Sequence, residues 1–432
     1  MRAPTRGPTV ASTSTHPTPA SATLRVAHFS DTYLPRRDGI ITSLRTLTGA
    51  LTGGGHECLT VVPGHRRQPA QPDVLPLPAV PCGVADLRLL PWPTLRQVRR
   101  IEAWRPDLVH VHTPGPVGLL GVLTARRLGL PVVHTYHTDL QAYVDAYRIP
   151  TAAIRMIASL YTRRLGLPAG SVPMPVGGYD DDRRGQVQTV NALLMGDADA
   201  VVVPTAAALD RAALPVPAHR LFVVPSAVPN RAVGPHRAAA FRARYGIGEA
   251  DRMVLFVGRV NREKGIDLLL PAFAKVVARE PRARLVLVGA VYEQRWLRRL
   301  IEGSGVGDRV VVTGQLAADQ VTAACATAEV FAFPSSTDTQ GLVLQEAALA
   351  GVPSVIVDAD LHRAGALGDA AVLAEATPDG LAAAVTGLLR DPVRARRTAE
   401  LARSRALRHT PRRYGAAMLD VYRGALTAHH GG

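Results

Sequence analysis

Short apolar runs alternate with helix-length segments along almost the whole chain. In the first half the runs are "LRVAHFS" (24–30), "CLTVVP" (58–63), "DLVHVHT" (107–113), "PVVHTYHT" (131–138), "AVVVP" (200–204) and "LFVVP" (221–225). In the second half they are "MVLFVG" (253–258), "RLVLVG" (284–289), "RVVVTG" (309–314), "VFAFP" (330–334), "PSVIVD" (353–358) and "AAVLAE" (370–375). Continuous apolar strands, rather than alternating ones, mark parallel sheets covered on both faces. Six runs followed by six more predict an α/β chain with two doubly wound domains. The break falls in "PSAVPNRAVGPHR" (225–237), rich in proline and small residues. The expected domains are therefore 23–225 and 238–409 with a linker at 226–237. A last helix near 410–428 is placed to pack back on the first domain.

Two segments leave this rhythm. "GLPAGSVPMPVGGYDDDRRG" (166–185) reads as a long loop from its glycines and prolines. Before it, "PTAAIRMIASLYTRRLG" (150–166) puts Ile154, Ile157, Leu160 and Tyr161 on one helical face, with Arg155, Arg163 and Arg164 near its edges. Such a helix either packs in the ordinary way or lies on an anionic membrane surface.

The polar breaks after the apolar runs hold the candidate chemistry, because ligands of open α/β sheets bind beyond the carboxyl ends of the strands. After "MVLFVG" comes "RVNREKG", with Arg259 and Lys264 at a helix start. Two cations there oppose the helix dipole, and a bound phosphate would resolve the conflict. Only two lysines, Lys264 and Lys275, occur among the 50 basic residues of the chain. After "VFAFP" comes "SSTDTQGLVLQEAALAG" (335–351), which places Asp338 in a loop and Glu346 in the helix that Gly341 opens. Two carboxylates so placed can accept hydrogen bonds from sugar hydroxyls; the plainer reading makes Asp338 a helix cap and Glu346 a surface residue. In "FSDTYLPRRDGIITSLRTL" (29–47), Gly39 begins a helix and lets a ligand approach its amides. His110 and His112 share a strand face, while His137 and Asp139 follow the next strand. No cysteine or glutamate completes a zinc set with these histidines, so no metal is assigned. The pairs Asp197/Asp199 and Asp358/Asp360 could hold Mg²⁺ with a nucleotide; the first reads as a turn and the second lies at a strand end facing the expected cleft, and as two-residue signals neither is assigned a metal.

Composition narrows the partners. The 432-residue chain carries a formal net charge of +15, compatible with nucleic acid, an anionic membrane or phosphate-bearing ligands. The arginines are scattered and no RNA-binding aromatic pattern accompanies them, which argues against nucleic acid. Heavy use of Ala, Val, Leu and Arg has the look of a GC-rich bacterial genome. Three distant cysteines suggest a reducing compartment, expected to be cytoplasmic. No apolar run is long enough to span a bilayer. Residues 1–22 lack an apolar signal core and read as a disordered tail.

Taken together these motifs resemble the family 4 retaining glycosyltransferases of the GT-B fold, over roughly 24–428. "GRVNREKGID" is similar to the G-R-x-x-x-x-K-G phosphate loop, and "TDTQGLVLQEAALAGVPSV" to the E-x7-E segment. "SDTYLPRRDGI" resembles the opening glycine loop, and "HTYHTD" the histidine-bearing strand end. "TDTQGL" and "HTYHTDLQAYV" are most like the branch of bacterial glycolipid glucosyl- and mannosyltransferases.

The resemblance implies two Rossmann-like domains facing across a cleft, with closure about 225–237. It implies that Arg259 and Lys264 hold the donor diphosphate and that Glu346 binds the ribose. Asp338, Gln340, Gly341 and Leu342 would orient the donor sugar. Gly39 would lie under the phosphates and His137 beside the reacting carbon. The implied reaction moves a hexosyl or N-acetylhexosaminyl group from a nucleotide diphosphate sugar, UDP- before GDP-, with retention and without metal or cofactor. The acceptor is a hydroxyl of a small molecule or a membrane lipid, with peripheral contact at the inner membrane face in the lipid case. The sequence leaves the oligomeric state open. Asp338 stands where the family usually has Glu, "PSAVPNR" lacks the usual N-G-V-D, and "DADLHRAG" lacks a common glycine pair. Those departures keep two alternatives: a non-catalytic nucleotide-sugar-binding protein, and a nucleotide-sugar epimerase of similar fold.

Overall fold

The computed structural model describes residues 9–10, 23–82, 87–141, 144, 151–167, 182–212 and 214–431. The chain divides into two compact units, 1–226 with 411–432, and 227–410.

In the first unit the strands are β1 (Thr9–Val10), β2 (Arg25–Phe29), β3 (Glu57–Pro63), β4 (Val74–Leu77), β5 (Leu108–Val111), β6 (Val132–Thr135), β7 (Ala200–Val203) and β8 (Leu221–Val223). They form one parallel sheet in the order β4-β3-β2-β5-β6-β7-β8-β1. Six strands were expected, and among the described residues this sheet has eight, with a separate antiparallel pair, Val80–Pro81 and Arg88–Leu89, beside it in sequence. Strand β4 escapes the apolar-run criterion because Pro76 interrupts it; a proline is tolerated there because β4 is an edge. Thr9 and Val10, inside the segment read as a disordered tail, pair with Phe222 and Val223; the rest of that segment lies outside the described residues. Of the loop expected at 166–185, residues 168–181 also lie outside them, and 182–185 are helical.

Helices α1 (Gly39–Gly53), α2 (Pro116–Leu128), α3 (Thr151–Leu165) and α4 (Asp182–Met195) cover this sheet, and the chain returns to it after the second unit. On one face Ala27, Phe29, Val109 and Val111 join Leu119 and Leu120 of α2 and Ile154, Ala158 and Tyr161 of α3 in one apolar core. On the other face run Val26, His28, His110 and His112, an arrangement fixed by the pairing of His28 with His110.

The second unit holds β9 (Arg252–Val257), β10 (Ala283–Val288), β11 (Val310–Gly314), β12 (Val330–Phe333), β13 (Ser354–Ile356) and β14 (Val372–Leu373). Their order is β11-β10-β9-β12-β13-β14, all parallel. Counted within the unit this is 3-2-1-4-5-6, the doubly wound order whose switch point lies between the first and fourth strands. Helix α5 (Ile266–Arg279) follows β9 and α6 (Leu342–Leu349) follows β12, so both flank that point. Phe256, Leu285, Leu287, Ile266, Leu270 and Phe273 form the core beneath it.

Helix α7 (Pro411–Gly431) belongs to the first unit and packs on α1. The Ser43 hydroxyl lies 2.8 Å from that of Ser226 and 2.9 Å from that of Tyr414. This hydroxyl cluster ties α1 to the residues where the chain leaves the unit and re-enters it.

Candidate active site

In the second unit the strand-to-helix connection after β9 is a tight one. Asn261 caps a single 3-10 turn, Arg262–Lys264, by accepting a hydrogen bond from the Lys264 amide at 3.2 Å. Gly265 then takes φ 71° and starts α5. A Cβ there would lie 2.4 Å from the Pro334 carbonyl oxygen at the end of β12. Both the backbone angle and that approach therefore require glycine. The approach holds the loop after β9 against the loop after β12.

Lys264 and Arg259 both contact Glu263, so their charge is already balanced within the protein. Lys264 Nζ lies 3.0 Å from Asp338 Oδ2 and 3.2 Å from Glu263 Oε1. Arg259 Nη2 lies 2.7 Å from Glu263 Oε2. The conflict with the helix dipole is thus relieved by two carboxylates of the protein, and Glu263 serves both cations. Sequence reasoning gave Glu263 no role. Its signal is an acidic side chain flanked at four residues and one residue by the two cations.

Asp338 is not a helix cap. Gly341, at φ 66°, is the capping residue of α6 and Asp338 points at Lys264 instead. Burial pushes the Asp338 carboxyl up, but Lys264, the Ser335 hydroxyl and Arg259 more than offset it, and the group sits below the ordinary range. Glu346 occupies the second turn of α6 and is half-buried. Burial raises its pKa to about 7, with Arg231 partly opposing the shift. Gln340 and Gly341 are buried beside it in sequence, and Leu342 is half-buried.

In the first unit α1 opens at Gly39, which is exposed, as expected. Its N-terminus is capped by Asp38, whose Oδ1 accepts from the Ile41 amide at 3.0 Å while Oδ2 accepts from Thr32 and Arg36. Asp31 is buried and caps α2: it accepts from the Val117 amide at 2.8 Å and the Thr113 hydroxyl at 2.6 Å. Burial raises its pKa and these hydrogen bonds work against the rise. Asp31 therefore welds the loop after β2 to the loop after β5, at this sheet's own switch point.

His137 follows β6 and joins a buried histidine array that the sequence shows only in part. His112 Nδ1 is 3.1 Å from His137 Nε2, and His112 Nε2 is 3.0 Å from His28 Nδ1. His110 bonds the Tyr422 and Thr135 hydroxyls at 2.8 and 2.7 Å. Burial lowers every one of these histidines, His28 to about 3 and His137 to about 4, so the rings are neutral at pH 7. His28, His110 and His112 offer nitrogens within 4.8 Å of one another. A cation there would have to displace the hydrogen bonds of His110 and His112 with no carboxylate in the set to balance it.

The acidic pairs are structural. Asp199 accepts from the Val132 amide at 2.7 Å and Asp197 pairs with Arg126. Asp358 caps the helix at Ala359–Ala364 and Asp360 pairs with Arg363.

Helix α3 departs from the face drawn for it. Ile154, Ala158 and Tyr161 are buried, whereas Met156, Ile157 and Leu160 are 59%, 37% and 37% exposed. Its apolar arc is wider than the core can cover, because successive residues turn by about 100°. Arg155 and Arg163 line a surface depression together with Met156 and Leu160.

The family model "Glycosyltransferase Family 4" matches residues 37–230, and "Glycosyl transferases group 1" matches 238–405. The chain is 31% identical over 335 residues to D-inositol 3-phosphate glycosyltransferase of Xylanimonas cellulosilytica, spanning 76% of this chain and 73% of that one. It is 29% identical to a GDP-mannose-dependent alpha-mannosyltransferase of Mycobacterium tuberculosis (87% and 92%). It is 26% identical to the alpha-monoglucosyldiacylglycerol synthase of Streptococcus pneumoniae (77% and 70%). HepE of Anabaena, solved with UDP and glucose, superposes with a TM-score of 0.66 at 16% identity, covering 92% of this chain and 98% of that one. With its two Rossmann-like parallel sheets and both halves matched, the chain is a GT-B glycosyltransferase and belongs to glycosyltransferase family 4.

Proposed function

We propose that this glycosyltransferase moves a hexosyl group from a nucleoside diphosphate sugar to a hydroxyl of a membrane lipid, with retention of configuration, at the cytoplasmic face. The observation that carries the reading is the half-buried charge cluster at the switch point of the second unit. There, two cations wait on two carboxylates. A diphosphate would take over the cations, while Glu346 accepts from the ribose and Asp338 turns, with the backbone of Gln340, Gly341 and Leu342, to the sugar. As the bond between the anomeric carbon and the phosphate oxygen breaks, the leaving oxygen gains negative charge. Fixed cations in a buried setting stabilise that charge more in the transition state than in the ground state.

UDP-glucose is the favoured donor, since HepE was solved with UDP and glucose; the mannosyltransferase relative makes GDP-mannose the competitor. The lipid acceptor is supported by the exposed apolar and arginine face of α3 and by the diacylglycerol-linked relative. The test is a screen of UDP-, GDP- and ADP-sugars for thermal stabilisation, which a ligand of the folded state must give. Transfer to diacylglycerol in mixed vesicles should follow for the stabilising donor. Lys264→Ala should lower kcat/KM by about a hundredfold; near-wild-type turnover in that variant would remove the assignment.

The engagement of Asp338 by Lys264 favours one second reading, a protein that binds the donor without reacting. Tight donor binding with neither transfer nor slow hydrolysis would establish it.

A further inference from the structure

The loop after β9 carries a charge of the wrong sign for a diphosphate site. Glu263 stands between Arg259 and Lys264, where a carboxylate repels an anionic ligand. Its side chain is only 9% exposed, and it is one of two carboxylates that balance the cations. The two are held differently. Asp338 comes from the loop after β12, 74 positions from Lys264. Glu263 lies in the same 3-10 turn as Lys264, and that turn is fixed at both ends. Asn261 caps it, and Gly265 closes it against the Pro334 carbonyl.

One carboxylate joins the two cations. Glu263 Oε1 lies 2.9 Å from Arg259 Nη2 and 3.2 Å from Lys264 Nζ, and Oε2 lies 2.7 Å from the same arginine nitrogen. Arg259 and Lys264 are therefore tethered side by side to a single group. Long arginine and lysine side chains lose rotamer freedom when a ligand orders them. Here Glu263 orders both before any ligand arrives.

We propose that Glu263 is a positioning residue of the transfer reaction, which holds Arg259 and Lys264 as a pair for the leaving diphosphate and weakens donor binding while doing so. The proposal rests on the reading of these two cations as the diphosphate site. When a donor draws Asp338 away from Lys264, Glu263 still holds both cations, since its backbone is locked in the turn. Cations already in place stabilise the charge that develops on the leaving oxygen without moving at the moment of reaction. The charge of Glu263 opposes ground-state binding of the same anion. Removing that charge thus separates two quantities: binding tightens and turnover falls. A carboxylate that only supported the fold of the turn would, when removed, lower both together.

The experiment compares full-length wild type with Glu263→Gln, Lys264→Ala and the double variant. Isothermal titration with inorganic pyrophosphate measures binding, and kcat is measured with the sugar nucleotide that most stabilises the protein. Glu263→Gln should bind pyrophosphate roughly three- to tenfold more tightly and lower kcat about tenfold, with donor KM unchanged or lower. In the Lys264→Ala background the same change should lower kcat only about threefold, since Arg259 alone remains to be held. Weaker pyrophosphate binding in Glu263→Gln, or kcat within about twofold of wild type, overturns the proposal. So does an equal loss of kcat in the two backgrounds. Should Glu263→Gln fail to fold, Glu263→Asp keeps the charge and shortens the reach. It should lower kcat with pyrophosphate affinity within about twofold of wild type, and an undiminished kcat overturns the proposal. Wild-type binding and turnover in Lys264→Ala would remove the donor-site reading, and this proposal with it. Loss of both in Lys264→Ala beside an unchanged Glu263→Gln would remove this proposal alone.

Discussion

Glu346 is the residue whose ionisation matters most to the proposed donor site. Burial brings its pKa to about 7, against the ordinary 4.5 of an exposed glutamate. A carboxylic acid with a raised folded-state pKa takes up a proton on folding between those two values. Its contribution to stability is therefore greatest at low pH, declines as pH rises through this window and is gone above about 7. Donor binding runs the other way, because the ionised form is the better acceptor for ribose hydroxyls. At pH 6 about a tenth of Glu346 is ionised, so donor affinity should be up to about tenfold weaker than at pH 8. Isothermal titration from pH 6 to 8 measures this, and Glu346→Gln should flatten the curve. Loss of the slope in wild type would mean that Glu346 does not meet the ribose.

At the scale of elements, two strand-to-helix connections hold the sites. Gly265 is the clearest point of failure. Gly265→Ala would pay for a left-handed backbone and would drive its Cβ into the Pro334 carbonyl. A destabilisation of about 2–3 kcal/mol is expected, readable in urea unfolding. Asp31 plays the matching part in the first unit, where Asp31→Ala strips the cap of α2. That change should cost about 2 kcal/mol in the same measurement, with the buried Thr113 hydroxyl losing its acceptor as well. These elements were legible to different degrees. Strands with unbroken apolar runs, such as β9 and β10, read directly. Strand β4 did not, because its proline breaks the run and only its edge position makes that harmless. The exposed side of α3 was also hidden, since periodicity shows how wide an apolar arc is but not how much of it the core takes.

For the whole molecule the question is where it works. No helix among the described residues is long and apolar enough to cross a membrane. The net charge of +15 and the exposed Met156, Ile157 and Leu160 instead favour adsorption to an anionic surface. The protein should float with vesicles containing anionic lipid at low salt. A Met156→Glu/Leu160→Glu double variant should lose flotation with an unchanged melting temperature, because neither side chain is in the core. Flotation that survives the double change would move the contact away from α3.

Sequence alone settled the doubly wound class and the ends of most strands, and it singled out Arg259 and Lys264 after one strand and Asp338 and Glu346 after another. These are local properties: an apolar run, a glycine before a helix, and a spacing of a few residues. Tertiary structure decided what those residues touch. It put Glu263 between both cations and turned Asp338 onto Lys264, 74 positions away. It also brought His28 to His112 across 84 positions. The parallel pairing of strands distant in sequence made the last two contacts, and no local pattern encodes it.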